Sequence, residues 1–167
     1  MKENTQMQQK ALIVIDIQND ITKNYKDVID SINAAVAWAV ANNLHVVYIR
    51  HEYLTPSAKT FLPNTHGSEL VPDLKIASEN IFTKHQQNAL TSDAFADFIS
   101  RNEIRELYIT GADATACVKS TCYNLRKAGH TVNVLTDCIT SYDKKKIDEM
   151  LRYYESKGCN LTTLSAL

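Results

Sequence analysis

Three side chains that suit nucleophilic chemistry each follow a short apolar run of the chain. Asp16 comes directly after ALIVI, Lys84 after NIFT, and Cys117 after ELYIT and a short turn. A thiol is a weak nucleophile until it loses its proton. A carboxylate can accept that proton, and an ammonium group can stabilise both the thiolate and the carboxylate. This set of residues favours attack by a thiol on an amide carbonyl, which gives a thioester that water then hydrolyses.

Cys117 lies in the segment GADATACVKSTCYNL (111–125), which passes from a strand end through a turn into a helix. The positive end of the helix dipole favours a thiolate at this position. Backbone N–H groups of the turn are suited to hold an oxyanion. Taken alone, Cys117 is equally compatible with a nucleophile, a metal ligand, a disulfide partner or a small core residue. Asp16 and Lys84 also have non-catalytic interpretations, Asp16 as a turn residue and Lys84 as a solvent-exposed lysine.

The other cysteines, Cys122, Cys138 and Cys159, are interpreted as small buried hydrophobic residues. No two cysteines form a CxxC pair, and no short ligand spacing indicates zinc. The histidines of the middle region suggest either a metal site or a Cys–His pair, but no ligand spacing joins them. We therefore interpret them as solvated loop residues. They are His51, His66 and His85.

Short apolar runs alternate with amphipathic segments along the whole chain, and several of the runs are rich in β-branched residues. The runs predict strands at 11–15, 45–49, 80–83, 106–110, 131–136 and 160–164. The amphipathic segments predict helices at 28–43, 92–104, 117–129 and 144–158. Residues suited to helix starts and ends flank these segments. The starts are Ser92 and Asp143, and the ends are Asn43, Gly129 and Gly158.

The alternation of strands and helices predicts an α/β fold with a mostly parallel sheet and helices on both faces. All three prolines fall in the segment 51–79, which is predicted as a long loop with one short helical turn. Long loops in compact domains are usually functional. Ligands of open parallel sheets bind beyond the carboxyl ends of the strands. Asp16, Lys84 and Cys117 all follow strands, so we expect them to converge at that edge.

The bulk properties favour one domain over residues 1–167, with a flexible N-terminus over about 1–10. The net charge is −1 and the charges are scattered, so nucleic acid is not an expected partner. No apolar segment approaches the roughly 20 residues of a membrane helix. The polar start of the chain is unlike a signal peptide. The expected location is the cytoplasm, and the expected partner is a small-molecule substrate.

Four segments of the chain follow one another in this order: ALIVIDIQNDI, THGSELVPDL, KHQQNAL and TGADATACVKST. Together they resemble the isochorismatase-like cysteine hydrolases, a superfamily that includes nicotinamidases and several small amidohydrolases. ALIVIDIQNDI resembles the opening strand and D-x-Q-N-D signature of that family, and THGSELVPDL resembles its G-x-E-L-x-P-x-L segment. KHQQNAL resembles the motif around its catalytic lysine. TGADATACVKST resembles the block that contains its nucleophilic cysteine. The four motifs occur in the family's order, and the resemblance as a whole runs from about residue 11 to 164.

The resemblance implies a three-layer α/β/α, Rossmann-type fold with six strands in the order 3-2-1-4-5-6. It also implies that Asp16 is the general base, Lys84 the charge stabiliser and Cys117 the nucleophile. A cis peptide is implied at Ala112–Asp113, with the N–H groups of Asp113 and Cys117 forming the oxyanion hole. Members of this family commonly form homo-oligomers. A homodimer or larger assembly is therefore expected, with Trp38 as a buried or interface aromatic.

Two departures from the family pattern narrow the expected activity. Nicotinamidases carry a metal-binding D-x-H motif after the second strand, where this chain reads RHEYLTP. No metal or other cofactor is therefore expected. True isochorismate hydrolases lack the nucleophilic cysteine, so Cys117 argues against vinyl-ether hydrolysis.

These features predict a metal-independent cysteine amidohydrolase that acts on a small amide, ureido or carbamoyl compound. The alternatives are a hydrolase of another bond type, a non-catalytic binding member of the fold, and a redox protein using Cys117 and Cys122. The last pairing is disfavoured, because residues five apart do not face each other on a helix.

Overall fold

The computed structural model describes residues 9–22 and 25–167. Within those residues the strands form one six-stranded sheet in the order β3-β2-β1-β4-β5-β6. All neighbouring strands are parallel, so the predicted fold class and strand order are confirmed. The predicted flexible N-terminus falls mostly on residues 1–8, outside the described part of the chain, and Lys10 already begins the first strand.

The elements alternate as the apolar pattern predicts. The strands are β1 (Lys10–Ile15), β2 (His45–His51), β3 (Ile81–Lys84), β4 (Glu106–Gly111), β5 (Thr131–Ile139) and β6 (Asn160–Thr162). The helices are α1 (Asn19–Thr22), α2 (Lys26–Ala41), α3 (Asp93–Arg101), α4 (Cys117–Lys127) and α5 (Ile147–Ser156). Short 3-10 turns lie at His66–Ser68, Ala89–Thr91, Lys144–Lys146 and Leu164–Ala166. The first of these is the helical turn predicted in the long loop.

Strand β1 lies in the middle of the sheet and is buried on both faces. Its residues Ala11–Ile15 have no exposed surface, because successive side chains point to opposite sides and helices cover each side. Helix α2 covers one face, where it packs with Leu12 and Val14. Helices α3, α4 and α5 cover the other face, where they pack with Ile13 and Ile15. The two core clusters make the three layers that the sequence predicts.

The residues predicted to begin and end helices do so. The Ser92 side chain accepts a hydrogen bond from the Phe95 N–H at the start of α3. The Asp143 side chain accepts one from Lys145 N–H, capping the 3-10 turn that leads into α5. The three residues that end helices have positive φ angles: Asn43 (60°), Gly129 (94°) and Gly158 (87°).

Two further features of the sequence can be compared with the structure: Trp38 and the lack of a long apolar segment. Trp38 on α2 is partly buried and packs edge-on against Tyr108, with 5.1 Å between ring centroids. No helix in the described ranges is long and apolar enough to cross a membrane.

Gly111 allows the ends of β4 and β1 to come together. Its φ angle is +115°, and a Cβ atom placed there would lie 2.2 Å from the Ile15 carbonyl oxygen. The obstacle is backbone at the centre of the sheet, which has no room to shift. Any side chain at this position would therefore separate the two strand ends that carry Asp16 and the turn before Cys117.

We predict that Gly111→Ala lowers the free energy of unfolding by at least about 3 kcal/mol, because strain and backbone overlap add. Gly129→Ala is the matched control. Its φ is also positive, but a Cβ atom at this position would have no other atom within 4 Å. Its cost should be about 1 kcal/mol from backbone strain alone. Urea unfolding of both variants measures the difference, and equal losses would show that the close approach to Ile15 is unimportant.

Candidate active site

The three predicted residues meet at the carboxyl edge of the sheet. Asp16 follows β1, Lys84 is the last residue of β3, and Cys117 is the first residue of α4. The Lys84 Nζ lies 3.1 Å from Asp16 Oδ2 and 3.3 Å from Cys117 Sγ. Asp16 and Lys84 are almost fully buried, at 2% and 1% exposure, while Cys117 is partly exposed. The expected convergence is confirmed, and an ion pair lies at its centre.

His51 belongs to the same cluster, which the sequence interpretation missed. Its Nδ1 lies 2.7 Å from Lys84 Nζ, and the residue is 2% exposed. The prediction of a solvated loop histidine is therefore wrong here, because β2 extends two residues past its predicted end and finishes at His51. His66 and His85 are exposed, as predicted. The strand order contains the missed signal: β2 lies between β3 and β1, so its last residue lies between Lys84 and Asp16.

Asp16 is held by an abrupt turn of the backbone at the end of β1. Its φ angle is 57°, in the left-handed region, and its N–H donates to the Ile49 carbonyl of β2 at 3.0 Å. Left-handed backbone is uncommon outside glycine and persists where the surroundings require it. The turn leaves the carboxylate at the edge of the sheet, facing Lys84.

Gln18 joins the aspartate strand to the long loop. Its amide nitrogen donates to the carbonyls of His51, at 2.9 Å, and Ser68, at 2.8 Å. Its amide oxygen accepts the His51 N–H at 2.8 Å. Gln18 has no exposed surface, so these bonds are shielded from water. One side chain thus fixes the backbone of His51 and the 3-10 turn of the loop.

Asn19 and Asp20 complete the attachment of the loop. The Asn19 amide donates to the His66 carbonyl at 2.8 Å, and Asp20 Oδ2 accepts the Phe61 N–H at 2.7 Å. Gly67 allows the close approach, since a Cβ atom there would lie 2.0 Å from the Asp20 carboxylate. The D-x-Q-N-D segment therefore supplies the carboxylate of the cluster and holds the loop over it.

The turn before Cys117 is held by the side chain of Asp113. Its carboxylate accepts hydrogen bonds from the Tyr25 hydroxyl, the Thr115 N–H and hydroxyl, the Ser141 hydroxyl and the Tyr142 N–H, all at 2.8–2.9 Å. Burial alone would raise the pKa of Asp113, but these donors outweigh it and lower that pKa below its ordinary value. The ionised carboxylate ties the turn to Tyr25, just before α2, and to the segment after β5.

The backbone of this turn leaves two N–H groups available. The Ala112–Asp113 bond is cis, the isomer that the family resemblance implies. Ala116 and Val118 donate their N–H groups to the Asp113 carbonyl. No acceptor among the described residues pairs with the N–H of Asp113 or Cys117. Cys117 begins its helix, so its N–H has no acceptor within α4.

Burial sets the protonation state of the resting cluster. Burial raises the pKa of Asp16, and Lys84 opposes the rise. Burial and the Asp16 charge raise the pKa of Cys117 well above its ordinary value, and again Lys84 opposes. The expectation that Lys84 and the helix dipole would favour a resting thiolate is therefore outweighed. Both shifts favour a protonated Cys117 thiol beside a carboxyl group whose affinity for protons is raised.

Comparison with known proteins shows the family of this chain. A sequence model of the isochorismatase domain matches residues 10–166. The chain belongs to the isochorismatase family. It is 26% identical over 140 residues to the isochorismatase family protein YddQ of Bacillus subtilis strain 168, and the match covers 78% of each chain.

Solved structures of the isochorismatase family share the fold. An isochorismatase family protein from Desulfovibrio vulgaris superposes with a TM-score of 0.87 at 18% identity, over 95% of each chain. The pyrazinamidase of Pyrococcus horikoshii, solved in complex with zinc, superposes with a TM-score of 0.81 at 22% identity. That match covers 93% of this chain and 99% of the pyrazinamidase. At these identities the similarity shows the fold alone, and the chemistry of the site has to be inferred from its own residues.

The zinc in that pyrazinamidase structure raises the question of whether this site suits a metal. Asp16, His51 and Cys117 offer ligand atoms that lie within 4.8 Å of one another. However, the Lys84 Nζ lies 3.1, 2.7 and 3.3 Å from one atom of each of them. A divalent cation at the same point would meet the ammonium group directly. The donor set does not fit a metal while Lys84 is in place.

We predict opposite effects of Asp16→Asn and Lys84→Met on the reactivity of the Cys117 thiol. Asp16→Asn removes the charge that raises the thiol pKa, so alkylation by iodoacetamide at pH 7 should become faster. Lys84→Met removes the opposing charge, so alkylation should become slower. Each unit of pKa changes the thiolate fraction about tenfold.

Mass spectrometry after brief labelling measures both rates. The buried Cys122, Cys138 and Cys159 serve as internal controls and should remain unlabelled. If both variants shift the Cys117 rate in the same direction, the charges of Asp16 and Lys84 do not set its pKa.

Proposed function

We propose that this isochorismatase family member is a metal-independent cysteine amidohydrolase acting on a small amide, ureido or carbamoyl compound. The observation that carries the proposal is the buried Lys84 ammonium in contact with both the Asp16 carboxylate and the Cys117 sulfur. A thiol, a base and a fixed positive charge are the groups that acyl transfer through a thioester requires. The fold shared with a pyrazinamidase supports an amide substrate.

In the first half of the proposed reaction, Cys117 attacks the carbonyl carbon while Asp16 takes the thiol proton. A carbon–sulfur bond forms and the carbonyl oxygen becomes an oxyanion, which the N–H groups of Asp113 and Cys117 stabilise. Asp16 then passes its proton to the nitrogen. The carbon–nitrogen bond breaks, ammonia or an amine leaves, and Cys117 holds the acyl group as a thioester.

In the second half, water replaces the leaving amine. Asp16 accepts a proton from the water as its oxygen attacks the thioester carbon. The carbon–sulfur bond breaks, the acid product leaves, and the proton returns to the Cys117 sulfur. Lys84 contacts both groups and stabilises the negative charge as it moves between Asp16 and Cys117. The raised pKa of Asp16 suits a group that must both accept and return a proton.

The redox alternative receives no support from the cysteine positions. The Cys122 thiol lies in the same core cluster as Cys159. Cys117 contacts Lys84 and Asp16 instead. A binding protein without activity would not require the buried ion pair beside a partly exposed thiol.

We predict that the protein releases ammonia from at least one compound in a panel of small primary amides, ureido acids and carbamoyl amino acids. Cys117→Ala should abolish release. Asp16→Asn should lower kcat by about 10²–10⁴-fold, the usual contribution of general acid–base catalysis. The double variant should be no worse than Cys117→Ala alone, because the two residues act as one unit.

Intact-mass spectrometry of the wild-type protein mixed with substrate should show the acyl group on Cys117. Lys59→Ala, in the exposed part of the long loop, is the control and should keep full activity. Turnover by Cys117→Ala at a normal rate would contradict the proposal.

We also predict that turnover needs no added or resident metal, because the segment RHEYLTP after β2 lacks the aspartate–histidine pair of the D-x-H motif. Dialysis against a strong chelator should leave kcat/KM unchanged, and added zinc should not raise it. A fluorogenic or colorimetric ammonia assay measures both. Complete loss of activity with the chelator, restored by zinc alone, would show that a metal takes part.

A further inference from the structure

Lys84 uses all three hydrogens of its ammonium group within the cluster. The acceptors are Asp16 Oδ2 at 3.1 Å, His51 Nδ1 at 2.7 Å and Cys117 Sγ at 3.3 Å. They come from three different elements, so the ammonium is held from three sides. The lysine side chain has no exposed surface, and the histidine contact is the shortest of the three.

The contact with Lys84 determines which nitrogen of His51 carries the proton. An ammonium group has donors only, so Nδ1 must accept and the proton of the neutral ring lies on Nε2. Burial first, and the Lys84 charge second, lower the pKa of His51 to about 4. The imidazole is therefore neutral near pH 7. Its role is that of an acceptor that adds no charge beside the thiol.

We propose that Asp16, His51 and Cys117 form a three-donor cation site whose resident cation is the Lys84 ammonium, and that His51 is the residue that positions it. This proposal extends the proposed function and rests on it for the catalytic role of Lys84. It makes two claims of its own. The ammonium keeps divalent metals out, and the neutral ring fixes the ammonium against the sulfur.

The donor set explains why a metal would otherwise bind. A carboxylate oxygen, an imidazole nitrogen and a thiolate sulfur are the three ligand types that zinc takes in proteins. Two polar atoms of the set, Asp16 Oδ1 and His51 Nε2, are buried and have no hydrogen-bond partner among the described residues. Removing the ammonium would leave a carboxylate, a ring and a thiol within 4.8 Å of one another and without a cation.

The first test measures zinc binding, with zinc alone as the probe and no turnover required. Full-length wild-type protein and Lys84→Ala compete for zinc with a chromogenic chelator. The wild type should take up no zinc at the cluster, and Lys84→Ala should bind one zinc per chain. Zinc should then protect Cys117 from iodoacetamide in the variant. Adding His51→Leu or Cys117→Ala to Lys84→Ala should remove this binding.

Controls and contrary results keep this test decisive. Lys59→Ala removes an exposed lysine and should behave as the wild type. Lys84→Met serves if Lys84→Ala does not fold. Zinc uptake by the wild type that protects Cys117, or no gain in the Lys84 variants, overturns the proposal. Absence of amidase activity on every substrate would count against the proposed function and leave the zinc result standing.

The second test separates the two ring nitrogens of His51. His51→Asn places an amide near the position of Nδ1 and keeps an acceptor for Lys84, whereas His51→Gln places its amide near Nε2. His51→Leu has neither. The alkylation rate of Cys117 at pH 7 should stay within about threefold of the wild type in the Asn variant. In the Gln and Leu variants it should fall about tenfold, as a one-unit rise in the thiol pKa requires.

A purely structural role for His51 would not make the Asn variant alkylate faster at Cys117 than the Gln and Leu variants. Thermal unfolding should place the Asn and Gln variants close together, so that stability does not explain the difference in alkylation. With a substrate in hand, kcat should follow the alkylation rate while KM changes little. Equal rates in the Asn and Gln variants, or a Leu variant that reacts as fast as the wild type, overturns the positioning role.

Discussion

The burial of one lysine ammonium group is the constraint on which the rest of the site depends. A charge inside a protein is costly unless oppositely charged or polar groups surround it. The Asp16 carboxylate supplies the countercharge, and the His51 ring and the Cys117 sulfur take the remaining hydrogens. Because the three acceptors come from the end of β1, from β2 and from α4, the site forms only when the carboxyl edge of the sheet is assembled.

Two groups of hydrogen bonds keep that edge in place. Gln18, with the residues that follow it, ties the long loop to the end of β2, so that His51 is shielded from water. Asp113 accepts hydrogen bonds from the residue before α2, from its own turn and from the segment after β5, and these bonds hold Cys117 at the start of its helix. Most residues of the family signature around Asp16 therefore hold the long loop in place, and only Asp16 itself belongs to the proposed catalytic cluster.

Protonation in the resting site follows from the same burial. Removing the cluster from water raises the pKa values of Asp16 and Cys117 together, and the single positive charge of Lys84 only partly offsets the rise. Both groups therefore bind a proton more readily than they would in water. The site therefore suits a nucleophile that is deprotonated as it attacks, and it differs from sites that store a free thiolate.

Sequence by itself determined the alternation of strands and helices, the residues that begin and end the main helices, and the position of Asp16, Lys84 and Cys117 after strands. Local pattern carries these features, since doubly buried strands need consecutive apolar residues and parallel strands end at one edge. The role of His51 and the resting thiol were decided only by the tertiary structure. Both depend on distances between strand ends and on the loss of solvent around them. No local sequence pattern predicts the role of His51 or the state of the resting thiol, because β2 and β3 are joined by a long loop without regular spacing.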